Sequence, residues 1–276
     1  MIEGMPISKI ARRLAWLWLL IIIAFFMVPI AYLLATSFKT PDDVLQGYLL
    51  PGNTTLENYP AAFRHVPIAS MIRNSTLIAV LSGIITLVIT VPATYAMVKL
   101  GFLRRVIPNI TLASYAAPPI IALVPLFFLM QMIGLIDTIP GLALVYGIMN
   151  IPVAFWLLRS FVKDIPDDID EAAWVDGAGY WLTLRRIVLP LLWPGIIATA
   201  LICIILSYNE LLFASAMTFK DTSRTITVGM SLFQGERLVN FGQMAAGSFA
   251  GMLPVYVIAV FFQRYLVGGL TQGSVK

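Results

Sequence analysis

Six stretches of the chain are long and apolar enough to cross the hydrocarbon core of a bilayer, which takes ~20 apolar residues in a helix. They lie at about 14–36, 72–98, 106–133, 139–161, 191–217 and 245–266. Such runs predict an all-α membrane protein with six transmembrane helices. Composition agrees. The 276 residues are 59% hydrophobic and 12% charged, whereas a soluble domain is roughly 45–50% apolar and about 25% charged.

The second and third stretches contain Pro92, Pro118, Pro119 and Pro125. Proline is tolerated in membrane helices, where it kinks them. "APPIIALVP" is therefore expected to bend or break the third span. The first stretch is too long for the ~7–15-residue core of a signal peptide and no A-x-A-like site follows it, so an uncleaved span is expected. No short-period repeat or low-complexity segment stands out. Residues 1–276 are expected to form a single transmembrane domain. The lone Cys203 lies in an apolar run and cannot build an internal disulfide framework.

Orientation follows the Lys/Arg bias of short loops. A cytoplasmic N-terminus puts twelve of the 18 basic residues inside, Arg104, Arg105, Arg185, Arg186 and Lys276 among them, and six outside. Both termini are expected in the cytoplasm. The segment between spans four and five then lies there too. The net charge of +4 is too small to suggest a nucleic-acid partner.

That segment, at about 162–190, is the most patterned part of the chain. It reads "DIPDDIDEAAWVDGAGYWLTLRRIVLP" over 164–190. Pro166 suits a first helical turn, and acids from Asp167 to Glu171 suit a helix N-terminus. Gly177 and Gly179 are expected to turn the chain. A second short helix follows, with Arg185 and Arg186 near its end and a Leu189-Pro190 stop. Ala172 and Ala173 would let another backbone approach. Trp174, Tyr180 and Trp181 near the turn suit a partner's pocket. The other reading is an amphipathic helix lying on lipid. Six of the 14 acids fall between Asp164 and Asp176, which makes the arm a poor ligand for an anionic leaflet and favours a protein partner.

The spacing Glu171-Ala172-Ala173, Gly177, Ile187, Leu189-Pro190 resembles the signature of permease subunits in bacterial ABC importers. Other segments are similar to the carbohydrate-importer, maltose-type branch of that family: "SFKTPDD", "NSTLIAV", "DEAAWVDGAGYW", "YNELLFA" and "FQRYLVGGLTQGSVK". Tyr208-Asn209-Glu210 stands where that branch often has Trp-Asn-Glu. The resemblance implies a type I permease fold in the bacterial inner membrane. It also implies that the loop is a coupling helix seated in a groove of a cytoplasmic ATPase dimer. Glu171 would anchor the groove, with Ala172, Ala173, Asp176 and Ile187 around it. Gly177 would permit the turn and Leu189-Pro190 would end the arm. A second, related permease subunit and an extracytoplasmic solute-binding protein are implied as partners. The tail at about 267–276 is implied to reach between the ATPase subunits.

No Gly-Lys dipeptide occurs in the chain, so it has no phosphate loop of the G-x-x-x-x-G-K-[ST] type. No cofactor is expected in this chain; ATP and Mg would be bound by the partner ATPase. His65 is the only histidine, so neither a histidine triad nor a His/Cys metal site is expected, and no catalytic residue is assigned. Polar groups within spans mark a pathway or bond helices together. The candidates for a solute path are Gln131, Asn150, Tyr208, Asn209 and Glu210, with Asn209 preferred because an amide both donates to and accepts from a hydroxyl-rich solute. Gln131 and Asn150 fit helix-to-helix bonding equally well. Glu210 is either solvated near the outer interface or paired across subunits. The predicted function is transport of a sugar, polyol or glycoside by an ATP-driven importer. The alternative, a secondary transporter driven by an ion gradient, needs ionisable groups near the bilayer midplane.

Overall fold

The computed structural model describes residues 9–47, 50, 52–233 and 240–271. In chain order its helices are α1 (Lys9–Ser37), α2 (Pro41–Leu45), α3 (Asn58–His65), α4 (Ile68–Lys99), α5 (Val106–Ala116), α6 (Ile120–Met132) and α7 (Ile139–Met149). They continue with α8 (Ile151–Asp164), α9 (Asp167–Val175), α10 (Tyr180–Thr183), α11 (Leu189–Tyr208), α12 (Leu212–Met217), α13 (Ile226–Leu232) and α14 (Phe241–Thr271). A single wide π-type stretch, Leu184–Val188, joins α10 to α11. The all-α class holds among the described residues.

Among the described residues four helices are long and apolar enough to span a membrane, and the number rises to six when each of two bent pairs is taken as one span. The third span breaks between α5 and α6 by 101°, at Ala117-Pro118-Pro119 as the prolines lead one to expect. The fourth bends by 51° between α7 and α8, which the sequence reading did not anticipate. The cause is Pro152, at the start of α8. It has no N–H for the carbonyl four residues back and crowds it. Asn150 fills the joint in a near-helical conformation. The fifth predicted span also stops early. Asn209 caps α11, and α12 is a separate short helix.

The chain forms two compact units, Met1–Val66 with Phe233–Ala250, and Pro67–Leu232 with Gly251–Lys276. In the first, Asn58 Nδ2 donates to the carbonyls of Ser37 (3.0 Å) and Lys39 (2.8 Å). This ties α3 to the end of α1, which is otherwise exposed almost throughout. An all-round apolar, uncovered helix is one made to face lipid or other membrane segments.

In the second unit, α4 packs against α7, α8 and α11. Its buried face carries Ser82, Thr86, Thr90 and Thr94, all fully enclosed. The four-residue spacing sets them in one row. Thr86 Oγ1 donates to the carbonyl of Gly147 (2.9 Å), and Ser82 Oγ to Ser207 Oγ (2.7 Å). Small hydroxyl residues let helix backbones approach closely and bond across the contact.

At one end of this unit, Asp137 takes the left-handed conformation (φ 60°). Its Oδ1 accepts from the N–H groups of Phe219 (2.8 Å) and Lys220 (3.1 Å) and from the Ser223 hydroxyl. Burial pushes this carboxyl up, but those donors and the Lys220 ammonium outweigh it and hold it below the usual range. Asn74 Nδ2 pins the same loop through the carbonyls of Asp221 (3.0 Å) and Arg224 (3.1 Å).

The predicted tail at 267–276 begins inside α14, which remains helical to Thr271. Its last five residues, half of the segment expected to meet the ATPase, lie outside the described residues.

Candidate functional site

The loop after α8 forms an arm of two short helices. Pro166 sits one residue ahead of the first turn of α9 rather than within it. Gly177 adopts φ 83° with open space where a Cβ would lie, so the turn needs glycine for backbone conformation alone. Gly179 has φ −73° and makes no such demand. Trp174 and Tyr180 meet edge to face across the turn, their ring centroids 5.5 Å apart.

The arm is bound to the end of α4 through one buried cation. Lys99, whose side chain is 3% exposed, places Nζ 2.6 Å from Asp167 Oδ1 and 3.5 Å from Asp170 Oδ2, and also donates to the carbonyl of Ile165. Tyr95 donates its hydroxyl to Asp170 Oδ1 at 3.0 Å. Asp170 is 2% exposed. The acids at the head of α9 are therefore more than helix-end charges, since one of them is an internal anchor. The Lys99 hydrogen bond and charge hold the Asp167 carboxyl below its usual range.

The expected coupling residues divide. Glu171, Ala172, Asp176 and Gly177 are exposed, while Ala173 is buried against the unit. Val175 (87% exposed), Tyr180 and Trp181 (68%) add an uncovered apolar surface beside them. Ile187, Leu189 and Pro190 stand on the shaft that leads from the arm into α11. The predicted Leu189-Pro190 stop does not occur, because the helix runs unbroken from Tyr180 to Tyr208. Proline removes the N–H that would bond Arg186. The chain adapts by widening the preceding turn, with Leu189 N–H reaching Leu184 O.

A cavity of about 270 Å³ lies among α5, α7, α8, α11 and α12, with Tyr115, Tyr146, Asn150, Ser207, Glu210 and Phe213 in its wall. Of the five predicted pathway residues it gathers Asn150 and Glu210. Asn150 Nδ2 donates to Ser207 Oγ (2.8 Å) and Cys203 O (3.4 Å), so it bonds α8 to α11 while bordering the space. Glu210 accepts from the Tyr146 hydroxyl (2.7 Å) and from the N–H groups of Leu212 (2.7 Å) and Phe213 (3.0 Å). It thereby satisfies the open donors at the start of α12.

The other three lie elsewhere. Gln131 is exposed near the end of α6. Tyr208 is buried and donates to Gly251 O at 2.7 Å. Asn209, the preferred candidate, is exposed and bonds its own helix at Ile205 O (2.9 Å). One residue further along a helix turns a side chain by about 100°, so Ser207 and Asn209 cannot share the cavity wall. Tyr146 escaped notice in the sequence. Its only signal was a lone hydroxyl in an apolar run.

The family model described as binding-protein-dependent transport system inner membrane component matches residues 88–272. The chain is 32% identical to the trehalose transport system permease protein of Mycobacterium tuberculosis, over 93% of this chain and 94% of that one. It is 34% identical to the trehalose/maltose transport system permease protein of Thermococcus litoralis, over 91% of each. It is 31% identical to the diacetylchitobiose uptake system permease protein of Streptomyces coelicolor, over 98% of this chain and 89% of that one. Among solved structures, a bacterial ABC transporter involved in alginate import shares the fold, with TM-score 0.77 and 21% identity over 95% of this chain and 99% of the other. None of these comparisons supports an ion-gradient transporter. The chain belongs to the family of binding-protein-dependent transport system inner membrane components: it is a multi-pass permease subunit of an ABC importer, not an enzyme, and in such importers ATP is hydrolysed by a separate chain.

Proposed function

We propose that the chain forms part of the pathway for a hydroxyl-rich solute, a sugar, polyol or glycoside, and works by alternating access. An ATPase dimer binds the arm from the cytoplasm, a second related permease completes the pathway, and a solute-binding protein delivers from outside. The observation that carries this reading is the arm. Its exposed surface, Glu171, Val175, Asp176, Tyr180 and Trp181, is acidic and apolar at once, which suits a partner's groove. Its base is fixed to α4 through Lys99 and Asp170. Movement of the arm passes to α4 by that ion pair and to α11 by the continuous helix. Both helices meet at Ser82 and Ser207, beside the cavity.

The carbohydrate class is supported by the relatives named for trehalose, maltose and diacetylchitobiose. The hydroxyls of Ser114 and Tyr115, the amide of Asn150 and the ring of Phe213 around the cavity are groups that suit a neutral polyhydroxylated solute. Glu171 and Gly177 are assigned to docking, with Ala172 and Asp176 beside them.

Reconstitution with the partner chains tests the proposal. Uptake of a labelled disaccharide is expected only with ATP and binding protein. Uptake driven by an imposed ion gradient without ATP would overturn the motor reading, and ATPase stimulation by non-carbohydrate solutes alone would overturn the substrate class. Sidedness has its own test. In a Cys203→Ser background, Arg104→Cys is expected to label from the cytoplasm and Lys220→Cys from outside. The reverse pattern would detach the arm from any cytoplasmic ATPase.

A further inference from the structure

Beside the arm lies a second cavity, of about 200 Å³, bordered by Lys99, Arg104, Arg159, Lys163 and Asp167 together with Met97 and Val98. Four cations face one carboxylate there. Lys99 and Asp167 are committed to each other. Among the described residues no carboxylate lies within ion-pair distance of Arg104, Arg159 or Lys163.

Arg159 is the telling member. Its guanidinium lies over the Trp156 ring at 4.9 Å, and its Nε is enclosed without a hydrogen-bond acceptor. A buried unsatisfied donor costs about 1–3 kcal/mol. The Trp156 face attracts the charge but leaves the Nε donor unsatisfied. A guanidinium and an ammonium bordering one small polar space are the groups that bind phosphate oxygens, arginine through paired N–H donors and lysine as a point charge.

We propose that Arg104, Arg159 and Lys163 form a binding site for a phosphate-type anion, occupied by the headgroup of an anionic phospholipid. The site lies between the end of α4 and the last turns of α8, where a span leaves the membrane. Basic pockets between spans on the cytoplasmic side suit such headgroups. The lipid assignment rests on the cytoplasmic orientation proposed above, whereas the anion site itself does not. Occupancy would add a negative charge next to Lys99, the cation that holds the arm, so the site would tune how firmly the arm is fixed to α4.

The test uses the assembled complex in nanodiscs of phosphatidylcholine, read by thermal unfolding as phosphatidylglycerol is added at constant ionic strength. Added phosphatidylglycerol is expected to raise the midpoint of the wild type. The Arg159→Gln/Lys163→Gln variant should need about fivefold more lipid per charge removed for the same rise. Arg104→Gln, in an exposed loop, repeats the test where folding is not at risk. A parallel titration in neutral detergent with inorganic phosphate separates the sources. Stabilisation by phosphate with no response to phosphatidylglycerol would overturn the lipid source. Equal responses of wild type and all variants to both probes would overturn the site. Because unfolding is read without transport, failure of the importer reading would leave a distinct signature.

Discussion

The second unit fixes a loop at each end through a carboxylate, and the two do so by opposite means. Asp137 gathers neutral donors, two backbone N–H groups and a hydroxyl, with an exposed Lys220 ammonium at 3.6 Å. Asp170 depends on one buried ammonium, shared with Asp167 and a carbonyl, and one phenol. Several neutral donors make a fastening that tolerates the loss of any one of them. A buried ion pair fails as a unit, because either partner left alone is an uncompensated charge in a poorly solvated place. The loop held by Asp137 is thus built to stay put. The arm is built on a contact that is strong while intact and sensitive to a neighbouring charge.

Removing the cation should separate the two ends most sharply. Lys99→Met is expected to destabilise by about 3–5 kcal/mol and to abolish the stimulation of ATP hydrolysis by the binding protein. Lys99→Met/Asp170→Leu should recover most of the stability but not the coupling. A loss under about 1 kcal/mol in thermal unfolding of the single variant would mean that Asp170 is not held electrostatically.

Asp137→Asn should be milder, about 1–2 kcal/mol. Asparagine tolerates a positive φ and keeps one carbonyl acceptor, while charged hydrogen bonds weaken to neutral ones. Hydrogen exchange should rise in residues 218–224 and remain unchanged in the arm. A matching rise in the arm would show the two ends to be linked.

Each end also has a left-handed glycine in open space, Gly134 (φ 71°) and Gly177 (φ 83°). Gly134→Ala and Gly177→Ala are each expected to cost about 1 kcal/mol from backbone strain alone. Only Gly177→Ala should lower coupled ATP hydrolysis. Equal activity losses in the two would remove the special role of the arm's turn.

The smallest effect is that of acid. Asp137 and Asp167 both have carboxyls held below the ordinary 3.8. Their contribution is fully present above that value and is lost as pH falls through the lower folded-state value. Between pH 7 and about pH 4.5 neither loop should loosen through these groups. Loosening of residues 218–224 near pH 6, seen by hydrogen exchange, would contradict the donor set found around Asp137.

What could be read in advance followed physical range. Long apolar runs fix helices locally, so the six spans were visible, and so was the break at Pro118-Pro119. Pro152 carried the same signal and passed unnoticed inside a run that was otherwise convincing. The spaced pattern from Glu171 to Pro190 located the arm. Its anchors could not be found that way, since Lys99 meets Asp167 and Tyr95 meets Asp170 across 68 and 75 residues. No periodicity marks such a pairing. That Asn209 lies outside the cavity bordered by Asn150 and Glu210 is a matter of helical phase. The chain ends α11 there, and a choice among four consecutive polar residues depends on a rotation that only packing decides.

The wide turn at Leu184–Val188 is, in mechanical terms, a gearing element. The helix from Tyr180 to Tyr208 has 29 residues, and at about 1.5 Å each it makes a shaft of about 43 Å. A π-type turn holds about one residue more than an α-turn, so it sets the angular offset between the two ends of that shaft. Deleting one residue there would leave the apolar length nearly unchanged but rotate Cys203 and Ser207 by about 100° relative to the arm. Asn150 would then lose its partners while the exposed surface of the arm stayed intact. Shaft length governs how far a stroke travels; the wide turn governs which side of the shaft receives it.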